Sequence, residues 1–445
     1  MSMRDYIMRF CAGLLLFTFF MILLRWFTVV VLIDSCKWDN ELTRLVLWDN
    51  WRLPELIHPR EKNIAWASLY PFQEPEPEKN LLAELRQQEN NLRVEQSRFA
   101  RWSQTFLPGY TSIVETGRRY DKLIGWDIRP IAPEGVQVLS DGWLFYPSLP
   151  FDIHEQLAET ASFAAFCQEQ GAKFLFVPNA PALDTKTDGH LIGRLDFCLQ
   201  KKDNMVQGLQ ERGVATLDLY PRMHEDFPDT PYHQLFFRTD HHWLPTTGLY
   251  AALQIGRWLQ TEGGVPLIDT PLRLENYQQK IYPAYFLGSQ GKKLTTVLTQ
   301  PDDFMLLYPQ FPTYLHYEIP GLDIDTYGDF SITYDMHEVE RKDFYGSNPY
   351  AAYNYADCSL IHMENFAPDA ANVKILVVKD SFTNSVAPFL ALCVKHMDIL
   401  DPRWFKGSIR SYVQKTKPDF VLVIHTVKID YPIERESHQN GYDFR

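Results

Sequence analysis

ILVVKDS, residues 375–381, is the stretch that decides the fold of this chain. Its first four residues form an unbroken apolar run, which is typical of a strand buried on both faces of a parallel sheet. Ser381 therefore follows the carboxyl end of a predicted strand, where open α/β sheets place their ligand sites. A second stretch, TDHHW at residues 239–243, precedes a predicted helix. Together they supply the serine, histidine and aspartate of an acyl-transfer site.

The two stretches predict a catalytic role for three side chains. In extended backbone Asp240 and His242 share one face, while His241 points away. Ser381 is the predicted nucleophile and its amide the oxyanion donor. His242 is the general base and then acid, and Asp240 orients its imidazole.

Four further residues are candidates for substrate or oxyanion contacts. Asn179 and Asn384 are predicted side-chain donors to the oxyanion. Arg403 follows another predicted strand and is a candidate for an anionic group, although a structural ion pair is the commoner use. Lys379 faces either the site or solvent, and its residue type favours solvent.

The same motifs have competing interpretations. Asp380 or Ser381 could simply cap the following helix. Residues 240–242 could hold a metal, but adjacent histidines on extended backbone diverge and no further ligand has suggestive spacing, so no metal is predicted. GSQG at residues 288–291 lacks the strand and helix that a nucleophile elbow requires.

The remaining periodicity predicts alternating helices and strands, and hence a parallel sheet flanked by helices. Between 262 and 372 this periodicity fails, which predicts an irregular or β-rich insertion. Predicted helices cover about 154–170, 203–212, 246–260 and 407–414, and apolar runs cover 174–177, 214–219, 375–378, 397–400 and 420–424.

The amino terminus predicts a membrane anchor. Residues 10–33 are almost wholly apolar and long enough to cross a bilayer as one helix. Arg4 and Arg9 precede this run and acidic residues follow it, which places the amino terminus in the cytoplasm and the main domain outside the cell membrane. A cleaved signal peptide is the rival interpretation, but no clear cleavage site follows.

Five regions are predicted along the 445 residues. They are a cytoplasmic stub and signal anchor (1–34), a membrane-proximal region with a helical stalk (35–135), an α/β catalytic domain (136–261 and 373–430), the insertion (262–372) and a C-terminal tail (431–445). The net charge of −13 argues against nucleic acid as a partner. The last four of the six cysteines leave one or two disulfides open, although Cys167 and Cys393 fit buried apolar positions better.

The motifs resemble the DHHW protein family of bacteria, named for the tetrapeptide at residues 240–243. The resemblance extends to KDSFTNS at 379–385, Pro388-Phe389 and DPRWF at 401–405, and in motif order it covers roughly residues 140–425. This family looks like a branch of the SGNH-hydrolase-like proteins that includes alginate O-acetyltransferase accessory proteins. Lys379 replaces the glycine usual before Asp-Ser in the wider superfamily, so the oxyanion hole does not follow from the resemblance.

The resemblance implies an SGNH-like fold with Ser381, His242 and Asp240 as the triad. It further implies an O-acetyltransferase or carbohydrate esterase that acts on a cell-envelope or secreted polysaccharide beside a membrane-bound O-acyltransferase. The mechanism requires no cofactor. The rival function is a non-catalytic glycan-binding or assembly component, and aromatic residues of the insertion would suit sugar stacking in either case.

Overall fold

The structure is a computed structural model that describes residues 110–123, 136–139, 141–146, 148, 152–184, 196–427 and 442–445. The chain divides into two compact units, residues 1–107 and 108–445, and every described residue lies in the second. The predicted anchor at 10–33 lies outside the described residues. Among those residues, no helix is both long and apolar enough to span a membrane.

Eleven strands and nine α-helices are found in the described residues. The strands are β1 (Gln137–Val138), β2 (Leu144–Phe145), β3 (Lys173–Pro178), β4 (Tyr277–Phe286), β5 (Asp302–Pro309), β6 (Leu315–Ile319), β7 (Ile324–Gly328), β8 (Leu360–Asn365), β9 (Ala371–Lys379), β10 (Val394–Leu400) and β11 (Phe420–His425). The helices are α1 (Tyr110–Leu123), α2 (His154–Glu169), α3 (Cys198–Gln210), α4 (Leu219–Asp226), α5 (Pro245–Thr261), α6 (Ser289–Leu298), α7 (Met336–Glu340), α8 (Ala387–Ala391) and α9 (Ile409–Thr416). Short 3-10 helices lie between them, at Tyr232–Leu235, Thr270–Leu272, Leu274–Asn276, Pro320–Leu322, Phe330–Thr333, Pro349–Ala352 and Ser381–Ser385.

A seven-stranded mixed sheet forms the centre of the unit, in the order β3-β11-β9-β10-β8-β6-β7. The first four strands are parallel to one another, and the last three are antiparallel to their neighbours. β1 pairs with β2 and β4 with β5 in separate antiparallel pairs. The α/β class is therefore confirmed, with β9 as the third of the seven strands, between β11 and β10.

Alternate residues of the parallel strands enter two hydrophobic cores, one on each face of the sheet. On β9, Ile375 and Val377 join the core that α5 covers, whereas Leu376 and Val378 join the core that α2, α3 and α9 cover. All four side chains are almost fully buried. This explains the unbroken apolar run in the sequence, because a strand covered on both faces has no polar side.

The sheet is mixed and not purely parallel, because the stretch predicted as an irregular or β-rich insertion adds strands to it. Strands β6, β7 and β8 come from the stretch between 262 and 372 and extend the main sheet as antiparallel strands. The physical reason is the short connection between β6 and β7, a single 3-10 turn at Pro320–Leu322, which only antiparallel neighbours permit. The predicted strand at 214–219 is also reduced, to one parallel bridge between Phe176 and Thr216.

The four described cysteines are free thiols. Cys167 and Cys393 are buried in the hydrophobic core, as their apolar positions predicted. The possibility of a disulfide among Cys167, Cys198, Cys358 and Cys393 is therefore wrong for this structure.

Helix α5 packs closely on the turn that follows β9. A methyl group added at Gly248 would lie 2.3 Å from the Ser385 carbonyl oxygen and 2.4 Å from its hydroxyl. We therefore expect Gly248→Ala to lower the free energy of unfolding by about 1–3 kcal/mol through overpacking. Urea denaturation of the full-length chain measures this change.

Gly256→Ala on the same helix is the matched control. Its added methyl would meet Leu272 Cδ1 at 2.6 Å, the end of a flexible side chain, which shifts at a lower cost than the Ser385 backbone does. Equal unfolding midpoints for the two variants would contradict the tight packing of α5 on residues 381–385.

Candidate active site

Ser381 follows β9 directly and begins the 3-10 helix Ser381–Ser385. The residue before it, Asp380, caps this helix, because its Oδ1 accepts the Phe382 amide at 3.1 Å. Asp380 also accepts the Asn179 side-chain amide at 2.8 Å, and the Thr426 amide and hydroxyl at 2.7 and 2.6 Å. The capping interpretation therefore describes Asp380, whose carboxylate joins the ends of β3, β9 and β11 and holds Ser381 at the edge of the sheet.

Asp240 and His242 lie on a bend and not on a strand. Residues 238–242 form bends between Phe236 and Trp243, which face each other in an antiparallel bridge, and α5 begins at Pro245. The expectation of extended backbone is wrong here, because this isolated bridge closes the chain on itself. The bend still brings the two side chains together, and the His242 amide donates to Asp240 Oδ1 at 3.1 Å.

The three predicted catalytic side chains form one line of hydrogen bonds. His242 Nδ1 lies 2.5 Å from Asp240 Oδ1, and His242 Nε2 lies 2.8 Å from Ser381 Oγ. Because a carboxylate only accepts, Nδ1 carries the proton, which leaves the Nε2 lone pair to accept from the Ser381 hydroxyl. Asp240 and His242 are buried, whereas Ser381 is partly exposed.

The carboxylate of Asp240 is held by a segment that sequence reasoning set aside. Its Oδ2 accepts the Ser289 amide at 2.6 Å, at the start of α6. Gly288 is required beside it, because an added Cβ would lie 2.3 Å from Asp240 Cβ. Burial raises the pKa of Asp240, but His241, His242 and the Ser289 amide lower it well below its usual range. Asp240 is therefore a stable anion, and no local pattern around GSQG announces this role.

His241 does not point away from His242. The two ring centroids are 3.9 Å apart, and His241 Nδ1 lies 3.2 Å from Ser289 Oγ and 3.5 Å from Asp240 Oδ1. The expected divergence is wrong because the backbone is bent at these residues. Burial, and then the neighbouring His242, lower the pKa of His241 to about 4, so it is neutral near pH 7.

The convergence of Asp240, His241 and His242 also makes them a candidate metal group. Among the described residues, one ligand atom of each lies within 4.8 Å of the others. The same side chains also form the hydrogen-bonded triad, in which His242 Nδ1 contacts Asp240. A metal at that nitrogen would replace this hydrogen bond, so the two arrangements exclude each other.

Lys379 is fully buried, and the interpretation that it faces solvent is wrong. Its Nζ donates to Asn384 Oδ1 at 2.7 Å and to the Ala356 carbonyl and Asp357 Oδ1 at 3.1 Å each. Asp401 Oδ2 lies 3.4 Å away. Lys379 points inward because β9 is covered on both faces. The two carboxylates compensate its charge beneath residues 381–385, which are called the nucleophile turn below.

Arg403 forms the structural ion pair that sequence reasoning named as the commoner use. Its Nε and Nη2 donate to the two oxygens of Asp401 at 2.9 and 2.6 Å, and Nη2 lies 3.1 Å from Asp357 Oδ2. With Lys379 it completes a network of two cations and two carboxylates.

Both predicted amide donors already have acceptors. Asn384 Nδ2 donates to Asp357 at 3.3 Å, and Asn179 Nδ2 donates to Asp380 and to Thr426 Oγ1 at 2.8 and 3.0 Å. The structure thus brings all seven predicted residues to one end of the sheet, with Asn179, Asn384, Lys379 and Arg403 supporting the turn. Whether any of these four also contacts a substrate stays a prediction.

Residues 136–280 match a family model described as SGNH hydrolase-like domain, acetyltransferase AlgX. This part of the chain is therefore similar to an SGNH hydrolase-like domain. The matched residues include Asp240 and His242 and end before Ser381. The predicted resemblance to SGNH-hydrolase-like proteins is therefore confirmed for the part of the chain that carries the DHHW motif, whereas the KDS and DPRWF motifs lie outside the matched residues.

Three solved structures share the fold of this chain. PatB1 from Bacillus cereus has a TM-score of 0.52 at 19% identity, over 70% of this chain and 99% of that chain. Its structure with a sulfonyl adduct has a TM-score of 0.51 at 19% identity, over 66% and 94%. A DHHW family protein from Eubacterium siraeum has a TM-score of 0.52 at 16% identity, over 68% and 94%. No curated protein matches the sequence, and at these identities the likeness concerns the fold alone.

The buried network predicts a large effect of removing Lys379. We expect Lys379→Met to lower the free energy of unfolding by roughly 3–5 kcal/mol, because it leaves the buried Asp401 and the half-buried Asp357 to share Arg403. Adding Asp357→Asn should restore part of this loss, since Arg403 then faces Asp401 alone. Urea denaturation of both single variants and the double variant measures the coupling. If the losses of unfolding free energy in the two single variants add up to the loss in the double variant, Lys379 and Asp357 are not coupled.

The same network predicts an acid-dependent stability. Burial raises the pKa of Asp357, but Lys379 and Arg403 lower it well below its usual range. A carboxyl with a lowered folded pKa stabilises the fold above the unfolded value of about 4 and loses this contribution as the pH falls further. Denaturation midpoints between about pH 5 and pH 2 should therefore fall more steeply in the wild type than in Lys379→Met. Parallel curves would show that Lys379 does not control Asp357.

Proposed function

We propose that the chain is a serine-dependent O-acyltransferase or esterase that acts on a cell-envelope or secreted polysaccharide. The observation that carries the proposal is the hydrogen-bonded line from Ser381 through His242 to Asp240, with distances of 2.8 and 2.5 Å. The 2.8 Å between Ser381 Oγ and His242 Nε2 is within the range that proton transfer from a nucleophile to its base requires. The pairing of nucleophile, base and orienting carboxylate defines this class of site independently of the fold.

The first half of the reaction forms an acyl-enzyme. Ser381 Oγ attacks the ester carbonyl carbon while its proton moves to His242 Nε2. The new positive charge on the imidazole is stabilised by the ionised Asp240. The C–O bond to the leaving alcohol then breaks, and His242 returns the proton to that oxygen.

The second half decides between transfer and hydrolysis. A sugar hydroxyl or a water molecule gives its proton to His242 Nε2 and attacks the acyl carbon. The bond to Ser381 Oγ then breaks, and Ser381 takes back the proton. The outcome depends on how far the site excludes water from the acyl-enzyme.

The main-chain amide of Ser381 is the proposed donor to the oxyanion. It belongs to the first residue of a 3-10 helix, and the first amides of a helix have no acceptor within that helix. Such a donor next to the reacting carbon stabilises the negative charge of the tetrahedral intermediate.

Support for an acetyl group comes from the relatives, and the glycan acceptor is carried over from the resemblance to the DHHW family. The matching family model is described as an acetyltransferase, and the PatB1 structure with a sulfonyl adduct is that of a fold relative. Sulfonyl reagents resemble acyl donors in that they react with activated nucleophiles. The apolar run at 10–33 supports a single-pass anchor with an extracytoplasmic main domain, beside a membrane-bound O-acyltransferase that would supply acyl groups.

A non-catalytic glycan-binding or assembly role is the second candidate. Tyr314, Tyr327 and Phe366 expose 55%, 56% and 44% of their surface, with ring centroids 5.6 to 6.4 Å apart. Such a cluster suits stacking against sugar rings. It lies near the amino ends of the parallel strands, because β8 runs antiparallel to β10, and is thus remote from Ser381.

Intact-mass spectrometry of the full-length chain with an activated acetyl ester tests the proposal. We expect an acetyl adduct or ester turnover in the wild type and neither in Ser381→Ala, because Oγ is the attacking atom. Ser411→Ala, which removes an exposed hydroxyl on α9, is the control and should behave as the wild type. Oligosaccharide acceptors added afterwards separate transfer from hydrolysis.

Two outcomes would contradict the proposed serine-dependent mechanism. Equal behaviour of the wild type and Ser381→Ala would contradict the nucleophile and favour the glycan-binding role. Loss of turnover on chelation, with recovery on metal addition, would favour the metal arrangement at residues 240–242 over the triad.

A further inference from the structure

Tyr350 contacts both His242 and the turn that carries Ser381, although it lies in a separate part of the chain. It lies in the 3-10 helix Pro349–Ala352, within the stretch that joins β7 to β8, and is 1% exposed. Its ring lies nearly parallel to the His242 imidazole, with centroids 4.1 Å apart and an angle of 20° between the planes. One face of the imidazole of the proposed base is therefore covered by the Tyr350 ring.

The Tyr350 hydroxyl reaches the nucleophile turn. It lies 3.1 Å from the Ser381 carbonyl oxygen, 3.2 Å from the Phe382 carbonyl oxygen and 3.2 Å from Ser385 Oγ. Burial raises the pKa of Tyr350 well above its usual range, so the hydroxyl keeps its proton as a donor. The Trp243 indole N–H donates to the last two of these acceptors at 3.0 Å each.

Neighbouring tyrosines show what a purely structural tyrosine looks like in this protein. Tyr334 and Tyr353 are also buried, and their hydroxyls donate to the carbonyls of Leu307 and Met305 at 2.6 and 3.0 Å. Both bonds join parts of the same stretch of chain, between β5 and β8. Tyr350 differs because every polar contact of its hydroxyl is on the turn that carries Ser381.

We propose that Tyr350 is a positioning residue that fixes the imidazole of His242 and the backbone of Ser381 relative to each other. The inference rests on the proposed acyl transfer. The 2.8 Å contact between Nε2 and Oγ joins two segments far apart in the chain, and its length depends on what holds both of them. Tyr350 holds both segments with one rigid side chain, because its ring packs on the His242 imidazole and its hydroxyl contacts the nucleophile turn.

The stretch between 262 and 372 contacts all three residues of the proposed triad. It supplies Tyr350 to the base and nucleophile turn, and the Ser289 amide to Asp240. This stretch is therefore part of the catalytic apparatus and not a peripheral addition to it. Deleting it would remove contacts to all three members of the triad.

Kinetics of acylation in the full-length chain separate positioning from folding. Tyr350→Phe keeps the ring but loses the hydroxyl, and we expect kcat to fall about 10-fold with KM unchanged. Tyr350→Leu also loses the stacked ring, and we expect a fall of about 100-fold. Tyr334→Phe loses one buried hydroxyl bond of the same kind away from the site and should keep the wild-type kcat.

A second measurement does not require turnover. In the chain labelled with ¹⁵N-histidine, the proton that His242 Nδ1 donates to Asp240 should give a downfield NMR resonance, assigned by its loss in His242→Gln. We expect Tyr350→Leu to shift or broaden this resonance and Tyr334→Phe to leave it in place.

The outcomes distinguish this inference from the proposed function. An unchanged resonance and an unchanged kcat in both Tyr350 variants would overturn the positioning role while acyl transfer stood. An inactive wild type would remove the proposed function, and the resonance would still decide whether Tyr350 orients His242.

Discussion

The carboxylate of Asp380 is the constraint on which the site depends. It accepts hydrogen bonds from the Phe382 amide, the Asn179 side chain, and the amide and hydroxyl of Thr426. Hydrogen bonds to an ionised acceptor are stronger than neutral ones, so four of them around one buried carboxylate fix its position closely. Because these partners follow β3, β9 and β11, the ends of three strands are tied to the residue that precedes Ser381.

The rest of the site is arranged around that point from elements that are distant in sequence. The bend at 238–242 delivers His242, and the start of α6 holds Asp240 by the Ser289 amide. Beneath the turn, Lys379 and Arg403 neutralise the carboxylates of Asp357 and Asp401 and keep the turn in place. A pre-formed hydrogen bond between Ser381 and His242 is the result, and in the proposed acyl transfer pre-organisation of this kind would be a main source of catalytic rate.

The parts of the fold that sequence predicted are those with a strong local pattern. The apolar run at 375–378 predicted β9 and the position of Ser381, and the amphipathic pattern at 154–170 predicted α2, because both periodicities follow from burial. The pairing of Asp240 with His242 was also expected, but on extended backbone, which a single isolated bridge replaces with a bend. The inward course of Lys379 was missed because its carboxylate partners, Asp357 and Asp401, are far from it in sequence.

Residues between 262 and 372 were the hardest to place. β8 alternates between buried and half-buried residues, but it is six residues long and follows irregular chain. Ser289 acts through its main-chain amide, which any residue carries, and Tyr350 resembles the other tyrosines around it. No pattern in the sequence distinguishes these contacts, since they arise only when the antiparallel strands join the sheet.

The central claim is that Ser381 is activated by His242. The most direct test is the rate at which a sulfonyl fluoride labels Ser381 in the wild type and in His242→Gln, with the adduct located by peptide mapping. We expect one adduct in the wild type, on the peptide that contains Ser381. In His242→Gln this adduct should form at least about 100-fold more slowly, because the imidazole is missing. Labelling at the same rate in both proteins, or no adduct on that peptide in the wild type, would contradict it.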